Sequence, residues 1–319
     1  ESSLDVRVIG LAYDVMEPGI YMDWLIDKSY IMPYPSGDTE SFLSRLLYIN
    51  QREKIDILIP ALDVEIPLFT KYKAVIENAG IKVLLPTTEA FAMRDKTKIT
   101  SFAPKIGLKA PATMNIATLA ELDKAMEQLE FPLVIKGQFY EAYKVKSRDD
   151  AIKQFYNISA KWGLPVIAQQ FIEGDEYNLI GLGDGKGNEM GAVATKKMTI
   201  TNQGKIWTNV SIRNEKIFAA AQKFVQATKW GGGFELEIMM EARSGELYLI
   251  EINPRFPAWI YMATGCGINL CERLVKLLIG QEYDTHSDYE AGKTLIRYTA
   301  EMIKSITDLE TLSINGESK

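Results

Sequence analysis

The chain has 319 residues, of which 47% are hydrophobic and 24% charged, and its formal net charge is −6. This length predicts about two domains, and the composition is that of a globular protein. The acidic charge and the lack of a basic tract argue against nucleic-acid binding. No stretch approaches the ~20 apolar residues of a membrane helix, and no signal peptide is visible, so we expect no membrane contact.

The first 94 residues alternate apolar strands with helices. In chain order the pattern predicts a strand at 6–11, a helix at 39–54 capped by Asp38 or Thr39, a strand at 55–60, a helix at 64–79 and a strand at 81–85. Alternation of this kind predicts an α/β arrangement, with a parallel sheet covered by helices.

Residues 95–230 mix helices with longer strands. In chain order the pattern predicts helices at 95–106 and 118–129, strands at 131–136, 166–171, 176–183, 189–197 and 205–211, and a helix at 214–229. Lys136 ends the first of these strands, a position that can place an ammonium group on an anion. Lys196 and Lys197 end another strand, and there we favour a solvated pair over a phosphate contact.

Residues 231–255 predict a β-hairpin. Two apolar runs, at 234–240 and 247–252, flank a polar turn at 242–245 that contains Ser-Gly. Glu235 and Glu237 are two residues apart, so they share one face of the first strand. Glu251 and Asn253 share one face of the second strand for the same reason.

Burying these acidic groups is costly unless they are paired or bind a metal. Glu237, Glu251 and Asn253 can converge across the hairpin, and such oxygen ligands suit Mg²⁺. Arg255 follows and can hold a phosphate or a carboxylate through two hydrogen bonds. A solvated acidic face is the simpler interpretation of the same pattern.

After the hairpin, a core helix is predicted at 268–279 and a strand at 293–301, which gives the C-terminal part an α+β character. Cys266 and Cys271 lie in an apolar segment, which predicts reduced core cysteines and a cytoplasmic protein. The single histidine, His286, is expected in a surface loop.

The second hairpin strand ends in Glu-Ile-Asn-Pro-Arg-Phe, and Glu237 stands fourteen residues before Glu251. This resembles the metal-binding signature of the ATP-grasp superfamily, in the branch of carbamoyl-phosphate synthetase large subunits and biotin carboxylases. The segment IDILIPALDVEIPLF resembles the pre-ATP-grasp domain of the same superfamily.

The resemblance implies a partial pre-ATP-grasp, Rossmann-like domain at residues 1–94 and a two-lobed ATP-grasp domain at 95–319. The smaller lobe is expected at about 95–168 and the nucleotide and metal lobe at about 169–319. The pre-ATP-grasp domain normally opens with one more strand and helix, so we expect an N-terminal piece to be missing, naturally or by truncation.

The resemblance also implies a site for ATP and for one or two Mg²⁺ ions, with Mn²⁺ as an alternative. The expected metal ligands are Glu237, Glu251 and Asn253. The expected phosphate contacts are Lys96 and Lys136, with Arg255 and Lys136 taking part in catalysis. The expected contacts to the base and ribose are Gln169, the backbone of Gln170, Phe171 or Ile172, and Glu176.

One stretch departs from the family pattern. A glycine-rich loop usually follows the lysine at the Lys136 position, where bare backbone N–H groups cover the phosphates. Here the sequence reads GQFYEAYKVKS, with one glycine. Either Tyr143 and Lys144 replace that backbone cradle, or closure over the phosphates is weak.

The chemistry that the resemblance implies is a carboxylate–amine ligase that works through an acyl phosphate. Biotin carboxylases follow the metal-strand arginine with polar residues, whereas this chain has apolar residues at 256–260. We therefore favour an amino acid or small peptide as substrate, its side chain packing on Phe256 and Trp259. A carbamoyl-phosphate-synthase-like enzyme that activates bicarbonate and a catalytically impaired ATP-binding scaffold remain alternatives, and a homodimer is compatible with the sequence.

Overall fold

A computed structural model describes residues 4–138, 141–201, 206–284 and 287–318. His286 lies outside the described residues, as do Phe139 and Tyr140 of the GQFYEAYKVKS stretch. The chain packs as two compact units. One unit comprises Glu1–Leu85, Cys271–Tyr283 and Tyr298–Lys319, and the other comprises Pro86–Leu270 and Asp284–Arg297. The domain limits set out above stay a prediction.

The described strands are β1 (Ile9–Ala12), β2 (Lys28–Ile31), β3 (Thr113–Ile116), β4 (Leu133–Lys136), β5 (Ala142–Val145), β6 (Val166–Gln170), β7 (Gly174–Asp184), β8 (Glu189–Ile200), β9 (Ile206–Ile212), β10 (Gly231–Glu241), β11 (Leu247–Asn253) and β12 (Thr294–Ile296). The described helices are α1 (Thr39–Glu53), α2 (Glu65–Lys71), α3 (Lys73–Asn78), α4 (Thr88–Ala92), α5 (Lys96–Phe102), α6 (Leu119–Leu129), α7 (Arg148–Trp162), α8 (Glu215–Thr228), α9 (Tyr261–Gly265), α10 (Leu270–Ile279) and α11 (Ile306–Asn315).

The first unit contains the parallel pair β1–β2 and the helix α1. Asp38 caps α1 by accepting a hydrogen bond from the backbone N–H of Ser41, as its sequence position predicts. The strands predicted at 55–60 and 81–85 are wrong as strands, because they are joined by one isolated parallel bridge between Ile57 and Lys82. The α/β character predicted for this part is nevertheless confirmed by the parallel pairing.

The helix predicted at 64–79 is two helices, α2 and α3. Tyr72 separates them because its backbone, at φ −106° and ψ 19°, leaves the helical region. Pro67, in the first turn of α2, is not the cause, since a proline is tolerated there.

The second unit contains two antiparallel sheets. The smaller has the strand order β3-β6-β4-β5, and α6 and α7 cover one of its faces. Its core includes Leu133 and Ile135 of β4, Val145 of β5 and Phe155 of α7. Thr118 and Glu121 form a capping box at the start of α6, at the boundary predicted from the sequence.

The larger sheet has the strand order β11-β10-β7-β8-β9-β12. One of its faces packs on α5 and α8 and holds the main core. Phe224 of α8 lies at the centre of that core, with its ring centroid 5.0 Å from those of both Trp230 and Phe234. The opposite face of this sheet carries the polar residues considered next.

Across the described ranges, every helix is too short or too polar to span a bilayer.

Candidate active site

Side-chain alternation sorts the large sheet into an apolar and a polar face. Leu179 of β7, Ala194 of β8 and Leu236 of β10 belong to the core face. Their strand neighbours point the opposite way, because successive side chains of a strand alternate. The polar face therefore carries Glu176 and Asn178 of β7, Thr195 and Lys197 of β8, Asn209 and Ser211 of β9, and Glu235 and Glu237 of β10.

The hairpin predicted at 231–255 is present as β10 and β11. Glu235 lies opposite Asn253, and Glu237 lies opposite Glu251. The prediction that Glu235 and Glu237 share one face of their strand, and Glu251 and Asn253 one face of theirs, is therefore confirmed. The register adds that the two polar faces lie side by side across the hairpin.

A β-bulge brings β11 to this arrangement. Leu247 and Leu249 point into the core, so unbroken alternation would send Glu251 and Asn253 there as well. The register shift next to Glu251 makes Ile250 an extra residue on β11. The bulge turns the two polar side chains onto the polar face, as bulges next to functional sites often do.

The three predicted metal ligands lie together. The amide nitrogen Nδ2 of Asn253 donates to Oε1 of Glu237 at 3.1 Å, which leaves Oδ1 as the atom of that side chain able to bind a cation. Ammonium groups balance both carboxylates: Lys197 Nζ lies 3.2 Å from Glu237 Oε2, and Lys96 Nζ lies 3.7 Å from Glu251 Oε2. Two carboxylates and an amide oxygen are hard oxygen donors of the kind that fit Mg²⁺.

Within the described residues, no three histidine, cysteine, aspartate or glutamate side chains cluster as metal ligands. The predicted set is not such a triple, because its third member is an asparagine. An incomplete protein shell of this kind suits Mg²⁺, which keeps waters and takes substrate phosphate oxygens as its remaining ligands.

The interpretation of Lys197 as a solvated residue is wrong. Its side chain is 9% exposed, and its ammonium lies 2.7 Å from Glu176 as well as next to Glu237. Burial works to lower the pKa of Lys197, but the two carboxylates outweigh it and hold the pKa above its usual value. Lys197 therefore carries its charge at all physiological pH values.

Glu235, on the polar face, contacts several polar side chains. Its Oε1 accepts hydrogen bonds from Asn178 Nδ2 at 2.7 Å and from the Trp259 indole at 3.0 Å. Its Oε2 accepts one from Asn253 Nδ2 at 3.0 Å and lies 3.7 Å from an Arg255 nitrogen. One carboxylate thus contacts a predicted metal ligand and the predicted substrate-binding arginine.

Burial raises the pKa of Glu235 to about 7, and the nearby Glu237 carboxylate adds to the rise. Arg255 and the Asn178 amide oppose this shift without cancelling it. Glu235 therefore changes charge near neutral pH.

The segment after β11 packs back onto the polar face. Phe256 lies over Gly233, where a Cβ atom would come within 2.6 Å of the phenyl ring, so a larger residue would displace the ring. Phe256 is half-buried, whereas Trp259 is 4% exposed and is held by Glu235. Of the predicted apolar wall, Phe256 remains partly open to solvent.

The predicted phosphate lysines come from α5 and β4. Lys136 is buried, and its ammonium donates to Gln169 Oε1 at 2.8 Å. Gln169 in turn donates to Thr113 Oγ1 at 2.9 Å. The Lys96 ammonium donates to the carbonyl oxygen of Gln138 at 3.0 Å, and it is the same group that faces Glu251.

Burial lowers the pKa of Lys136 to about 7, and the positive charge of Lys96 lowers it further. The carboxylates of Glu251 and Glu237 act in the opposite direction. Lys136 therefore responds to charges on both predicted halves of the site, which lie close enough in this unit to interact.

The predicted base and ribose residues lie on β6 and β7. The backbone N–H of Gln170 is already used in the sheet, where it donates to the Ala112 carbonyl at 2.8 Å. Phe171 and Ile172 follow β6, and Ile172 is buried. Glu176, the predicted ribose residue, pairs with Lys197. Gln169 hydrogen-bonds Lys136, so it is linked to the phosphate residues rather than isolated at the base.

Comparison with known proteins bears on these residues. Residues 164–301 match the family described as "ATP-grasp in the biosynthetic pathway with Ter operon". A carbamoyl-phosphate synthase of Methanobrevibacter smithii is 27% identical over 247 residues, and a carbamoyl phosphate synthase large chain of Gemmatimonas aurantiaca is 23% identical over 272.

Among solved structures, a biotin carboxylase of Campylobacter jejuni in complex with β,γ-ATP has a TM-score of 0.69 at 17% identity. The alignment covers 87% of this chain and 66% of the biotin carboxylase. At this identity, the similarity concerns the fold alone. Residues 164–301 carry an ATP-grasp domain. The predicted fold and the predicted resemblance to carbamoyl-phosphate synthetases and biotin carboxylases are confirmed.

The chain spans only part of the length of the relatives that it matches. The alignment with the M. smithii synthase covers 72% of this chain and 65% of that protein. The alignment with the G. aurantiaca large chain covers 80% of this chain and 24% of that protein. What those proteins do as wholes is therefore a proposal for this one.

Sequence reasoning did not assign the roles of two charged residues of the candidate site. It gave Glu235 no role beyond sharing a strand face with Glu237, and it favoured a solvated position for Lys197. The signal that reveals them is parity: Lys197 lies two residues from Thr195, and Glu235, between Phe234 and Leu236, lies two residues from Glu237. The bulge at Ile250 had a signal as well, because Leu247, Leu249 and Glu251 cannot share a buried face.

Proposed function

We propose that this ATP-grasp domain is an ATP- and Mg²⁺-dependent carboxylate–amine ligase that forms a C–N bond. The observation that carries the proposal is the position of Lys96, whose ammonium contacts both the Gln138 carbonyl and the Glu251 carboxylate. It joins the stretch after the predicted phosphate strand to the predicted metal hairpin. A nucleotide held there would have its phosphates beside the carboxylates.

In the proposed reaction, a substrate carboxylate oxygen attacks the γ-phosphorus of ATP and ADP leaves. The nitrogen of an amine then attacks the acyl carbon, the C–O bond to phosphate breaks, the nitrogen loses a proton and inorganic phosphate leaves. One or two Mg²⁺ ions, or Mn²⁺, would supply charge neutralisation on the phosphates. Lys96 and Lys136 would hold phosphate oxygens, and Arg255 would orient the carboxylate through two hydrogen bonds.

The same proposal places the metal between Glu237, Glu251 and Asn253. The base would lie against the segment of Gln169, Gln170, Phe171 and Ile172, and the ribose hydroxyl groups would lie at Glu176. Lys197 joins Glu176 to Glu237, so it would stand between the ribose and the metal. That position supports a role in neutralising phosphate charge as well.

The substrate we favour is an amino acid or small peptide. Phe256 is half-buried next to Arg255, so a side chain attached to a bound carboxylate has an apolar surface to pack on. Trp259 supports the wall only indirectly, because Glu235 holds it in place. A homodimeric assembly and a cytoplasmic location complete the proposal.

Bicarbonate activation is the second candidate, and the names of the relatives favour it. A catalytically impaired scaffold is the third. The facing carboxylates of Glu237 and Glu251, each 29% exposed, speak against a scaffold, because holding two partly buried like charges together has a cost that nucleotide binding without turnover does not require.

The test is ADP formation over a panel of carboxylate and amine pairs, with bicarbonate and ammonia included. We expect ADP only when an organic carboxylate and an amine are both present. ADP that requires bicarbonate alone would establish the second candidate. Nucleotide binding without ADP above the blank for any pair would establish the scaffold.

Nucleotide binding above neutral pH is expected to take up a proton at Lys136. With its pKa of about 7, this amine is mostly uncharged at pH 8.5, and phosphate oxygens favour its charged form. Uptake should approach one proton per ATP at pH 8.5 and vanish near pH 6, where Lys136 is already protonated. Calorimetry in buffers of different ionisation enthalpy measures this number.

Lys136→Arg is the matched variant for this measurement, because a guanidinium stays charged and removes the uptake while retaining a phosphate contact. Lys105→Met, at an exposed position of the same unit, should leave the uptake unchanged. ATP binding to the wild-type protein at pH 8.5 without proton uptake would contradict the assignment of Lys136 to the phosphates.

A further inference from the structure

Tyr143 and Lys144, the two residues of β5 that could replace the glycine-rich loop, point to opposite faces of the small sheet. Val145 belongs to the core that α6 and α7 cover, so Tyr143 shares that side and Lys144 points the other way. Lys144 lies opposite Val134 of β4, and Val134 lies opposite Gln169 of β6. Lys144 therefore shares a face with Gln169, and Tyr143 does not.

Lys136 lies on this same face, two residues along β4 from Val134. Lys136 and Lys144 are separated by one strand spacing across the sheet and by two residues along the strand. Their Cα atoms are therefore about 8 Å apart. A lysine side chain is long enough to bridge most of that distance, so both ammonium groups can reach a single polyphosphate chain. The two lysines come from β4 and β5, the two strands on either side of residues 137–141.

The Lys144 ammonium lies 3.7 Å from the centroid of the Phe171 ring. Phe171 follows β6 directly, next to Gln169 and Gln170, in the segment proposed for the base. An aromatic face holds a solvated cation more weakly than a phosphate oxygen does. The contact keeps Lys144 at the edge of the proposed nucleotide site.

We propose that Lys144 is a phosphate-binding residue that leaves the Phe171 ring when ATP binds and supplies the positive charge that a glycine-rich loop would provide through backbone N–H groups. The proposal deepens the proposed function and rests on it. It selects Lys144 over Tyr143 as the side chain that replaces the loop. It also makes the affinity for the phosphates depend on the charge of one side chain.

The test compares ATP with adenosine in equilibrium binding to the whole chain, measured by calorimetry. Lys144→Met keeps the length of the side chain and its packing on Phe171 but removes the charge. We expect it to weaken ATP binding about 10- to 100-fold, the usual loss for a charged hydrogen bond, and to leave adenosine binding unchanged. Lys144→Arg should restore most of the ATP affinity. Lys153→Met, on the exposed side of α7, is the control and should bind ATP as the wild type does.

An equal loss for ATP and adenosine would overturn the proposal, because it would place Lys144 at the base. Unchanged ATP affinity in Lys144→Met would overturn it as well, with the proposed function left standing. Failure of the wild-type protein to bind ATP would overturn the proposed function and, with it, the role of Lys144.

Discussion

Glu251→Gln is expected to lower ADP formation by about a hundredfold or more. The amide has nearly the size of the carboxylate and still presents an oxygen towards the Lys96 ammonium, which lies 3.7 Å from Glu251 Oε2, so packing changes little. It removes one of the two negative charges that face each other across the hairpin. If the bound metal contributes several kcal/mol to the transition state, a loss of this size follows, because about 1.4 kcal/mol corresponds to a factor of ten.

The measurement is the steady-state rate of ADP release with the substrate pair that the panel identifies. Glu246→Gln is the matched control, because it makes the same change in an exposed carboxylate at the start of the same strand. We expect that variant to keep the wild-type rate. Turnover by Glu251→Gln within a few-fold of the wild type would remove Glu251 from the metal site.

Glu235→Gln is expected to weaken metal binding about 10- to 100-fold, although Glu235 is not among the proposed ligands. Gln keeps an oxygen for Asn178 and Trp259 but places an NH₂ group opposite the NH₂ group of Asn253. The two NH₂ groups no longer face each other if the Asn253 amide flips. Its Oδ1 then accepts a hydrogen bond from Gln and is no longer available to the metal. Paramagnetic resonance of Mn²⁺ in the presence of ADP measures the affinity directly.

The same variant is expected to gain stability in the absence of metal at pH 8. Because the pKa of Glu235 rises to about 7 in the fold, its contribution to stability is full below the unfolded value of about 4.5 and is lost as the pH rises through about 7. The loss is on the order of 3 kcal/mol at most, and Gln does not suffer it.

Chemical denaturation of the metal-free protein at pH 5 and pH 8 tests the second half of this prediction. The wild-type free energy of unfolding should fall between the two pH values by more than that of Glu235→Gln. Glu246→Gln should follow the wild type in both stability and Mn²⁺ affinity. A variant with lower stability and unchanged Mn²⁺ affinity would make Glu235 a packing residue.

Local patterns were sufficient to predict the centre of the candidate site. Glu237 and Glu251 lie on one hairpin, so parity and a short turn bring them together without help from the rest of the chain. Lys136 was predictable for a similar reason, because it ends a short apolar strand. Helix α6 was predicted at its true start because its capping box lies within four residues.

The partners of Lys197 and Glu235 were not predictable in this way. Lys197 meets Glu237, forty residues away, because β8 lies beside β7 and β7 lies beside β10. That strand order follows from burying the apolar face of the sheet against α8. The packing energy comes from residues far apart in the chain, so a short stretch of sequence does not reveal it. The strands expected at 55–60 and 81–85 failed for the opposite reason: their apolar composition fits a strand, but the hydrogen bonds around Ile57 and Lys82 support one bridge.

The hairpin tip and the bulge of β10 and β11 affect how such chains should be compared. A backbone hydrogen bond from the N–H of Glu241 to the carbonyl of Glu246 closes the tip at residues 242–245. Glu241 lies four residues beyond Glu237. Residues inserted or deleted at the tip change the interval between Glu237 and Glu251 but leave the two carboxylates opposite each other. The bulge at Ile250 has no such freedom, since removing it would turn Glu251 into the core. An alignment of distant relatives should therefore be anchored on the residue before the second carboxylate, with gaps allowed at the tip.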